Sequence, residues 1–223
     1  MIMPEYKLLA VLLTTLAFSL GVQSVQAGNL EVVLKDQKGN PLKDAVIEII
    51  SPSIPVPADW DYEGLMDQKD KEFINNVVTI VAGSYVNFPN SDDIQHHVYS
   101  FSDNNTFELP LYSDTNADPV LFGKPGVTVV GCNIHDWMLG YIYVGESHLM
   151  TLSDASGVAV INDLPAGNYR FKLWHERARR QDQFSEHDVT LSEASVTRLE
   201  LVLELGRARR IRRAPTGVGD SYH

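Results

Sequence analysis

The chain consists of short apolar runs separated by turn residues, and no segment after residue 27 sustains a 3.6-residue repeat over helix length. Residues 30–34, 45–50, 127–130 and 141–144 are typical runs, rich in Val, Ile and Tyr. Many short strands with regular turn signals are characteristic of β-sandwiches and barrels. We therefore predict an all-β fold, in which residues 30–34 and 45–50 form a hairpin across the turn at 36–41.

The N-terminus has the pattern of a secretory signal. Residues 8–22 form an apolar run of 15 residues, which Lys7 precedes and Val25-Gln26-Ala27 follows. Small residues at the first and third positions before a cleavage point are typical of a signal peptide. A membrane-spanning helix needs about 20 apolar residues. We expect residues 1–27 to be a signal peptide and the protein to be periplasmic. The alternative is an uncleaved N-terminal anchor.

Charge and cysteine content exclude several classes of function. The chain has 18 Lys and Arg against 29 Asp and Glu, a formal net charge of −11, and a single cysteine. A net acidic chain argues against nucleic acid as a partner. One cysteine excludes an intramolecular disulfide framework, four-cysteine zinc sites and iron–sulfur clusters. Because a free thiol is a liability in an oxidising compartment, we expect Cys132 to be occupied by a ligand.

Metal-ligating side chains recur around that cysteine. The segment Cys132-Asn133-Ile134-His135-Asp136-Trp137-Met138 places a thiol, an imidazole and a thioether at i, i+3 and i+6, between two predicted strands. His96-His97, about 35 residues upstream, offers a second imidazole. Two His and one Cys with a weak axial Met form the blue-copper electron-transfer site. The candidate metal ligands are therefore His96, Cys132, His135 and Met138, with His97 as the alternative to His96.

These residues resemble the cupredoxins. The pattern from Val127 through Cys132, His135 and Met138 to Gly140 is similar to their copper-binding motif, with the Cys-x-x-His-x-x-Met spacing of amicyanin. The segment Val86-Asn87-Phe88-Pro89-Asn90 followed by His96 resembles the upstream part of the cupredoxin motif. The interval from Asn90 to His96 is the one found in plastocyanin. The resemblance covers about residues 64–146.

The resemblance to cupredoxins carries functional implications. It implies a Greek-key β-sandwich with one type 1 copper per chain. It also implies single-electron transfer between protein partners without catalysis. It further implies that the ring edge of His135 is the electron port, that Trp137 and Leu139 form an apolar collar around it, and that His97 braces the cysteine loop. Proteins of this kind are often labelled methylamine utilization proteins.

The flanking segments resemble a different family. Gly39-x-Pro41-Leu42, then Ser153-Asp154-x-x-Gly157, then Leu164-Pro165-Ala166-Gly167-x-Tyr169 are similar to the carboxypeptidase-regulatory, or prealbumin-like, sandwich. We expect residues 28–50 and 147–205 to form this small Ig-like domain, with 51–63 as a linker and 64–146 as an inserted copper domain. The alternative is one extended cupredoxin in which the N-terminal hairpin adds strands.

Two further features of the sequence bear on partners. Residues 206–223 hold five of the ten arginines, so we expect a flexible basic tail. Its candidate partners are an acidic redox protein and an anionic membrane surface, and the alternative is a solvated chain end without a partner. Tyr85, Phe88, Tyr99 and Phe101 lie at strand spacing, which predicts packing inside the protein.

The sequence leaves other functional classes open. One is a periplasmic copper-handling carrier or sensor, and another is an adhesion or carbohydrate-binding sandwich.

Export makes a direct prediction about the mature N-terminus. Signal peptidase should cleave after Ala27, so the protein recovered from the periplasmic fraction should begin at Gly28. Intact-mass spectrometry of that fraction measures this. A mass that retains residues 1–27 would support the uncleaved anchor instead.

Overall fold

The computed structural model describes residues 27–51, 53–113, 117–179 and 185–207. Every regular element in these ranges is a β-strand, so the all-β prediction is confirmed. Within the same ranges no helix is present that is long and apolar enough to cross a membrane. The predicted signal peptide up to Gln26 and the arginine tail beyond Arg207 lie outside the described residues.

Seventeen strands follow one another along the part of the chain that the structure describes. They are β1 (Gly28–Asp36), β2 (Val46–Ile50), β3 (Glu63–Leu65), β4 (Gln68–Lys69), β5 (Glu72–Phe73), β6 (Val77–Val81), β7 (Ser84–Asn87), β8 (Val98–Ser102), β9 (Asn105–Glu108), β10 (Val120–Phe122), β11 (Gly126–Cys132), β12 (Leu139–Gly145), β13 (Met150–Leu152), β14 (Val158–Leu164), β15 (Gly167–Trp174), β16 (Ser185–Leu191) and β17 (Val196–Leu203).

Strands β3–β12 form what we call the central sandwich. Its larger sheet has the order β6-β12-β11-β8-β9 and its smaller sheet the order β10-β7-β3, while β4 and β5 form a separate hairpin. Alternate residues of these strands point inward, and Val86, Phe88, Val98, Phe122 and Ile142 fill the space between the sheets. The candidate ligands Cys132 and Met138 belong to this same buried cluster.

The remaining strands, from both ends of the described chain, form the flanking sandwich. One sheet has the order β14-β1-β17 and the other the order β13-β2-β15-β16. Leu30, Leu34, Ile47, Ile49 and Phe171 are buried between them. Strands from residues 28–50 therefore pair with strands from residues 150–203, across the whole central sandwich.

The predicted hairpin of residues 30–34 and 45–50 is wrong. β1 pairs with β14 and β17, whereas β2 pairs with β13 and β15 in the opposite sheet. The turn residues do form a tight turn, because Asp36 Oδ1 accepts hydrogen bonds from the backbone N–H groups of Lys38 and Asn40. The chain then crosses to the other sheet, where β2 pairs with β13 and β15, so the partners of both strands come from the C-terminal segment.

A third buried cluster joins the two sandwiches. Val46 and Trp174 of the flanking sandwich pack against Val77, Tyr141 and Tyr143 of the central one. The Trp174 ring centroid lies 5.6 Å from that of Tyr141 and 6.0 Å from that of Tyr143. Contacts between aromatic rings at these distances are favourable, so this cluster holds the sandwiches together.

Glu48 links the sandwiches through hydrogen bonds. It lies on β2 and is buried, and its Oε2 accepts a hydrogen bond of 2.7 Å from the Tyr143 hydroxyl. Its Oε1 accepts from the backbone N–H groups of Glu146 (2.6 Å) and Ser147 (2.8 Å), where the chain leaves the central sandwich. Burial, with the neighbouring Glu48, raises the pKa of Tyr143. The hydroxyl therefore stays a donor to this buried acceptor.

Loss of the Tyr143 hydroxyl should destabilise the protein. Tyr143→Phe leaves Glu48 Oε2 without its hydrogen bond, which typically costs about 1–3 kcal/mol for a buried polar atom. Tyr85→Phe is the matched control, because Tyr85 is 49% exposed on β7. Urea unfolding should show a lower midpoint for Tyr143→Phe and little change for Tyr85→Phe. Equal losses in both variants would contradict the role of Glu48.

Candidate metal centre

The pairing of two strands closes the loop that carries three candidate ligands. β11 and β12 run antiparallel with Gly131 opposite Leu139, so residues 132–138 must leave and return at the same point. Cys132 N–H donates to the Met138 carbonyl at 3.3 Å, and Met138 N–H donates to the His135 carbonyl at 2.9 Å. The loop is therefore fixed at both ends by its own backbone.

His96 reaches the same point from another segment. It lies just before β8, where its backbone N–H and carbonyl both bond to Tyr112. β8 pairs with the end of β11, with Val98 opposite Cys132. The two sequence regions that hold the predicted ligands therefore meet where the neighbouring strands β8 and β11 of the larger central sheet begin and end.

The Cys132 thiol lies between two imidazoles. Its Sγ is 3.6 Å from His96 Nδ1 and 3.7 Å from His135 Nδ1. One ligand atom from each of the three residues falls within 4.8 Å of the others. The donor atoms thus converge on one point, at a spacing that one metal ion can bridge. Met138 is buried in the core cluster of Cys132 and sits on the same closed loop.

The structure distinguishes the two adjacent histidines. His96 is buried beside Cys132, whereas the His97 Nε2 lies 2.8 Å from Glu108 Oε1 on the outward face of the sheet. His97 contacts the ligand loop through its backbone, because its carbonyl accepts a hydrogen bond of 3.0 Å from Asn133 N–H. His96 is thus the histidine in position to ligate, while His97 holds the loop.

Asp92 orients His96 from behind. Its Oδ2 lies 2.7 Å from His96 Nε2, so His96 donates from Nε2 and leaves Nδ1 facing the thiol. A carboxylate on the second ring nitrogen fixes the tautomer and orientation of a metal-ligating histidine. Burial by itself would raise the pKa of Asp92, but hydrogen bonds from Lys71 N–H, His96 and Asp70 N–H outweigh burial and lower that pKa.

The β4–β5 hairpin contacts the partners of both candidate ligand histidines, His96 and His135. The turn between β4 and β5 consists of Asp70 and Lys71, whose φ angles of 54° and 59° are left-handed. A left-handed backbone conformation costs a residue other than Gly about 1–3 kcal/mol, so surrounding hydrogen bonds must hold the turn in place. Asp92 accepts from both turn N–H groups, at 2.6 and 2.9 Å. The Lys71 carbonyl accepts from Trp137 Nε1–H at 3.0 Å, and the Trp137 ring lies 5.2 Å from that of His135.

Electrostatics favour the metal-binding forms of Cys132 and His135, whereas they favour the protonated form of His96, whose proton a metal would displace. Burial by itself would lower the pKa of His96, but hydrogen bonds with Cys132 and then Asp92 outweigh burial and raise that pKa. Burial is likewise outweighed at Cys132, where bonds from His96 and from the N–H groups of His97 and Ile134 lower the thiol pKa. Burial, with the positive charges of His96 and Lys71, lowers the pKa of His135. Thiolate character and a neutral imidazole are what a metal needs.

The donor set fits copper. A thiolate, two imidazole Nδ1 atoms and a nearby thioether-bearing residue are soft and borderline donors, which copper prefers. Zinc accepts Cys and His, but its ordinary protein ligands do not include thioethers. Trp137 lies beside His135 as the sequence resemblance implies. Leu139 does not form part of a collar there, because it packs against the cluster between the sandwiches.

Sequence reasoning missed Asp92 and the β4–β5 hairpin. Asp92 precedes His96 by four residues, in a run of turn residues that predicted only a loop. The hairpin strands are two residues each and carry no periodic signal. A carboxyl close in sequence to a ligand histidine was the one available hint.

Comparison with solved structures finds proteins that match part of this chain. Amicyanin from Paracoccus versutus is 23% identical, covering 44% of this chain and 97% of that one, with a TM-score of 0.35. A purple cupredoxin from Nitrosopumilus maritimus is 19% identical, covering 37% and 98%, with a TM-score of 0.32. A copper-containing nitrite reductase from Thermus scotoductus is 22% identical, covering 52% of this chain and 28% of that one, with a TM-score of 0.36. No protein-family model and no curated protein matches the chain.

Removal of the Asp92 charge should weaken metal binding. Asp92→Asn keeps the size of the side chain but loses one acceptor oxygen for His96 and the hairpin turn, and loss of such a partner typically lowers affinity about 10–100-fold. Competition with a chromophoric chelator measures this. Asp93→Asn is the control, because Asp93 is its exposed neighbour. A similar loss in Asp93→Asn would show that net charge, not orientation of His96, is responsible.

Proposed function

We propose that the protein is an exported type 1 copper protein that carries single electrons between redox partners. The observation that carries this proposal is the convergence of His96 Nδ1 and His135 Nδ1 on the Cys132 thiol, at 3.6 and 3.7 Å. Two histidines and one cysteine with a methionine on the same loop match the ligand set of blue-copper electron-transfer sites.

Each ligand has a distinct task in this proposal. His96, Cys132 and His135 would hold the ion, and Met138 would supply a thioether. When bound, copper supplies a one-electron Cu(II)/Cu(I) couple. The chain's own contribution is rigidity, because Asp92, Tyr112 and the closed 132–138 loop keep the donors in place. Donors fixed by surrounding hydrogen bonds move little when the charge at the site changes.

The surface near His135 suits brief contacts with another protein. His135 is 9% exposed, and the neighbouring Ile134 is about half exposed. The ring of Trp137 packs beside the imidazole ring of His135. A small, partly apolar patch is typical of weak electron-transfer encounters. We assign the edge of the His135 ring as the electron port.

Burial favours an electron carrier over a protein that delivers copper. His96, Cys132 and Met138 are all buried. A carrier that passes its metal to a partner needs donors that the partner can reach, whereas an electron carrier needs only one accessible ligand edge. With four protein ligands no position stays open for a substrate, so we propose no catalysis. We also propose a periplasmic location from residues 1–27, and an acidic partner or anionic membrane for the tail at 206–223.

Visible absorption tests the proposal directly. The protein with one equivalent of Cu(II) should show an intense blue band from thiolate-to-copper charge transfer, which reduction bleaches. Cys132→Ser should abolish the band, because the serine oxygen does not supply that transition, while the protein still folds. Colourless protein, or weak absorption that Cys132→Ser leaves unchanged, would overturn the type 1 assignment and favour a copper-handling protein.

A further inference from the structure

A cavity of about 240 Å³ lies where the central sandwich meets the flanking sandwich. Its lining includes Trp60, Asp61 and Glu63 at the start of β3, Thr79 on β6, and His148 and Met150 at the start of β13. The lining shares no residue with the donor set around Cys132. The cavity is therefore a separate place in the molecule, and it brings together side chains from three segments far apart in sequence.

His148 has an imidazole nitrogen without a partner. Its Nδ1 is shielded from solvent, and no group among the described residues forms a hydrogen bond with it. A buried polar atom without a partner is costly, and a bound ligand would remove that cost. Burial also lowers the pKa of His148, so its ring is neutral at physiological pH. The neutral ring is the form of imidazole that binds metal ions.

Met150 brings a thioether to the same cavity. Its backbone N–H donates to the His148 carbonyl at 2.9 Å, a tight turn over three residues that draws the two residues together. A Cβ atom at Gly145 would lie 3.1 Å from the Met150 sulfur, so the glycine leaves the space in which the sulfur sits. The imidazole and the thioether therefore both belong to the short segment that leads from β12 into β13.

The indole ring of Trp60 stands beside this imidazole. The ring centroids of Trp60 and His148 lie 5.2 Å apart, at an interplanar angle of 59°. A cation within about 6 Å of the centroid of an indole ring is attracted to the face of the ring. Trp60 thus adds an electron-rich surface next to the imidazole and the thioether.

These donor types favour a soft metal ion. Zinc takes Cys, His and carboxylate ligands. Asp61 and Glu63 also line the cavity, but both are exposed. Within the described ranges, only the residues around Cys132 bring three imidazole, thiol or carboxylate donors close together. A thioether, in contrast, is a soft ligand that favours Cu(I), and an aromatic face attracts a cation without adding charge.

We propose that His148 Nδ1 and the Met150 thioether, beside the ring of Trp60, form a second metal site for a soft monovalent ion of the Cu(I) class. The site goes beyond the proposed electron-carrier function and does not depend on it, because it shares no ligand with the centre at Cys132. Its consequence is that the protein takes up a second equivalent of a soft monovalent metal, at the junction of the two sandwiches.

Silver(I) is the probe, because it is soft and monovalent like Cu(I) and does not change oxidation state on binding. Beyond residue 27 the chain has three methionines, Met66, Met138 and Met150, so methionine labelled with ¹³C at its methyl group gives three NMR signals. The titration uses the Cys132→Ser protein, which lacks the competing thiol. We expect Ag(I) to shift the Met150 signal and Zn(II) to leave it in place. Met66 is the internal control, because it is fully buried in the central sandwich.

Two variants in the same Cys132→Ser background identify the ligands. His148→Gln and Met150→Leu should each weaken Ag(I) binding by about 10–100-fold, the loss that removal of even a supporting residue typically causes at a metal site. Isothermal titration calorimetry measures the affinity. His187→Gln is the matched control, a partly buried histidine of the flanking sandwich whose Nε2 already contacts the Ser185 hydroxyl, and it should change nothing.

Three results would overturn the second site. They are an unmoved Met150 signal, a shift of the Met138 signal alone, and an equal loss of affinity in His187→Gln. Because the titration contains neither Cu(II) nor the Cys132 thiol, its outcome is independent of the blue band that tests the proposed function.

Discussion

Antiparallel pairing of β11 with β12 is the constraint on which the candidate metal centre depends. Because Gly131 lies opposite Leu139, the seven residues between them form a closed loop whose ends are bonded to each other. Pairing of β8 with the last residues of β11 then brings His96 to the same loop. The ligands gain their positions from sheet hydrogen bonds, which are among the least mobile contacts in the protein.

Two carboxyl side chains play similar structural parts at different places. Asp92 accepts hydrogen bonds from two backbone N–H groups of the β4–β5 turn and from His96. Glu48 accepts from two backbone N–H groups at the exit of the central sandwich and from Tyr143. In each case one acceptor group satisfies polar atoms from segments far apart in sequence, so loss of the acceptor would leave several groups unpaired at once.

Local pattern predicted some features and failed at others for an identifiable reason. Runs of β-branched and aromatic residues correctly indicated β11 and β12, since a strand's preference for such residues is local. The hairpin of β1 and β2 was wrong because strand partners come from the far end of the chain. The prediction that Tyr85 and Phe101 pack inside the protein was wrong, because they are 49% and 76% exposed and alternation defines a face without telling which face is covered.

The sequence by itself determined the all-β class and the candidate donors of the 132–138 loop, because turn residues, strand-forming runs and the Cys-x-x-His-x-x-Met spacing act over a few residues. Only the tertiary structure places His96 and not His97 beside Cys132, since the two side chains just before β8 point to opposite sides and the pairing of Val98 with Cys132 brings one of them to the thiol. It also decided that Asp92 and the Asp70–Lys71 turn support the site. Those contacts join segments about 20 residues apart through hydrogen bonds that no local pattern encodes.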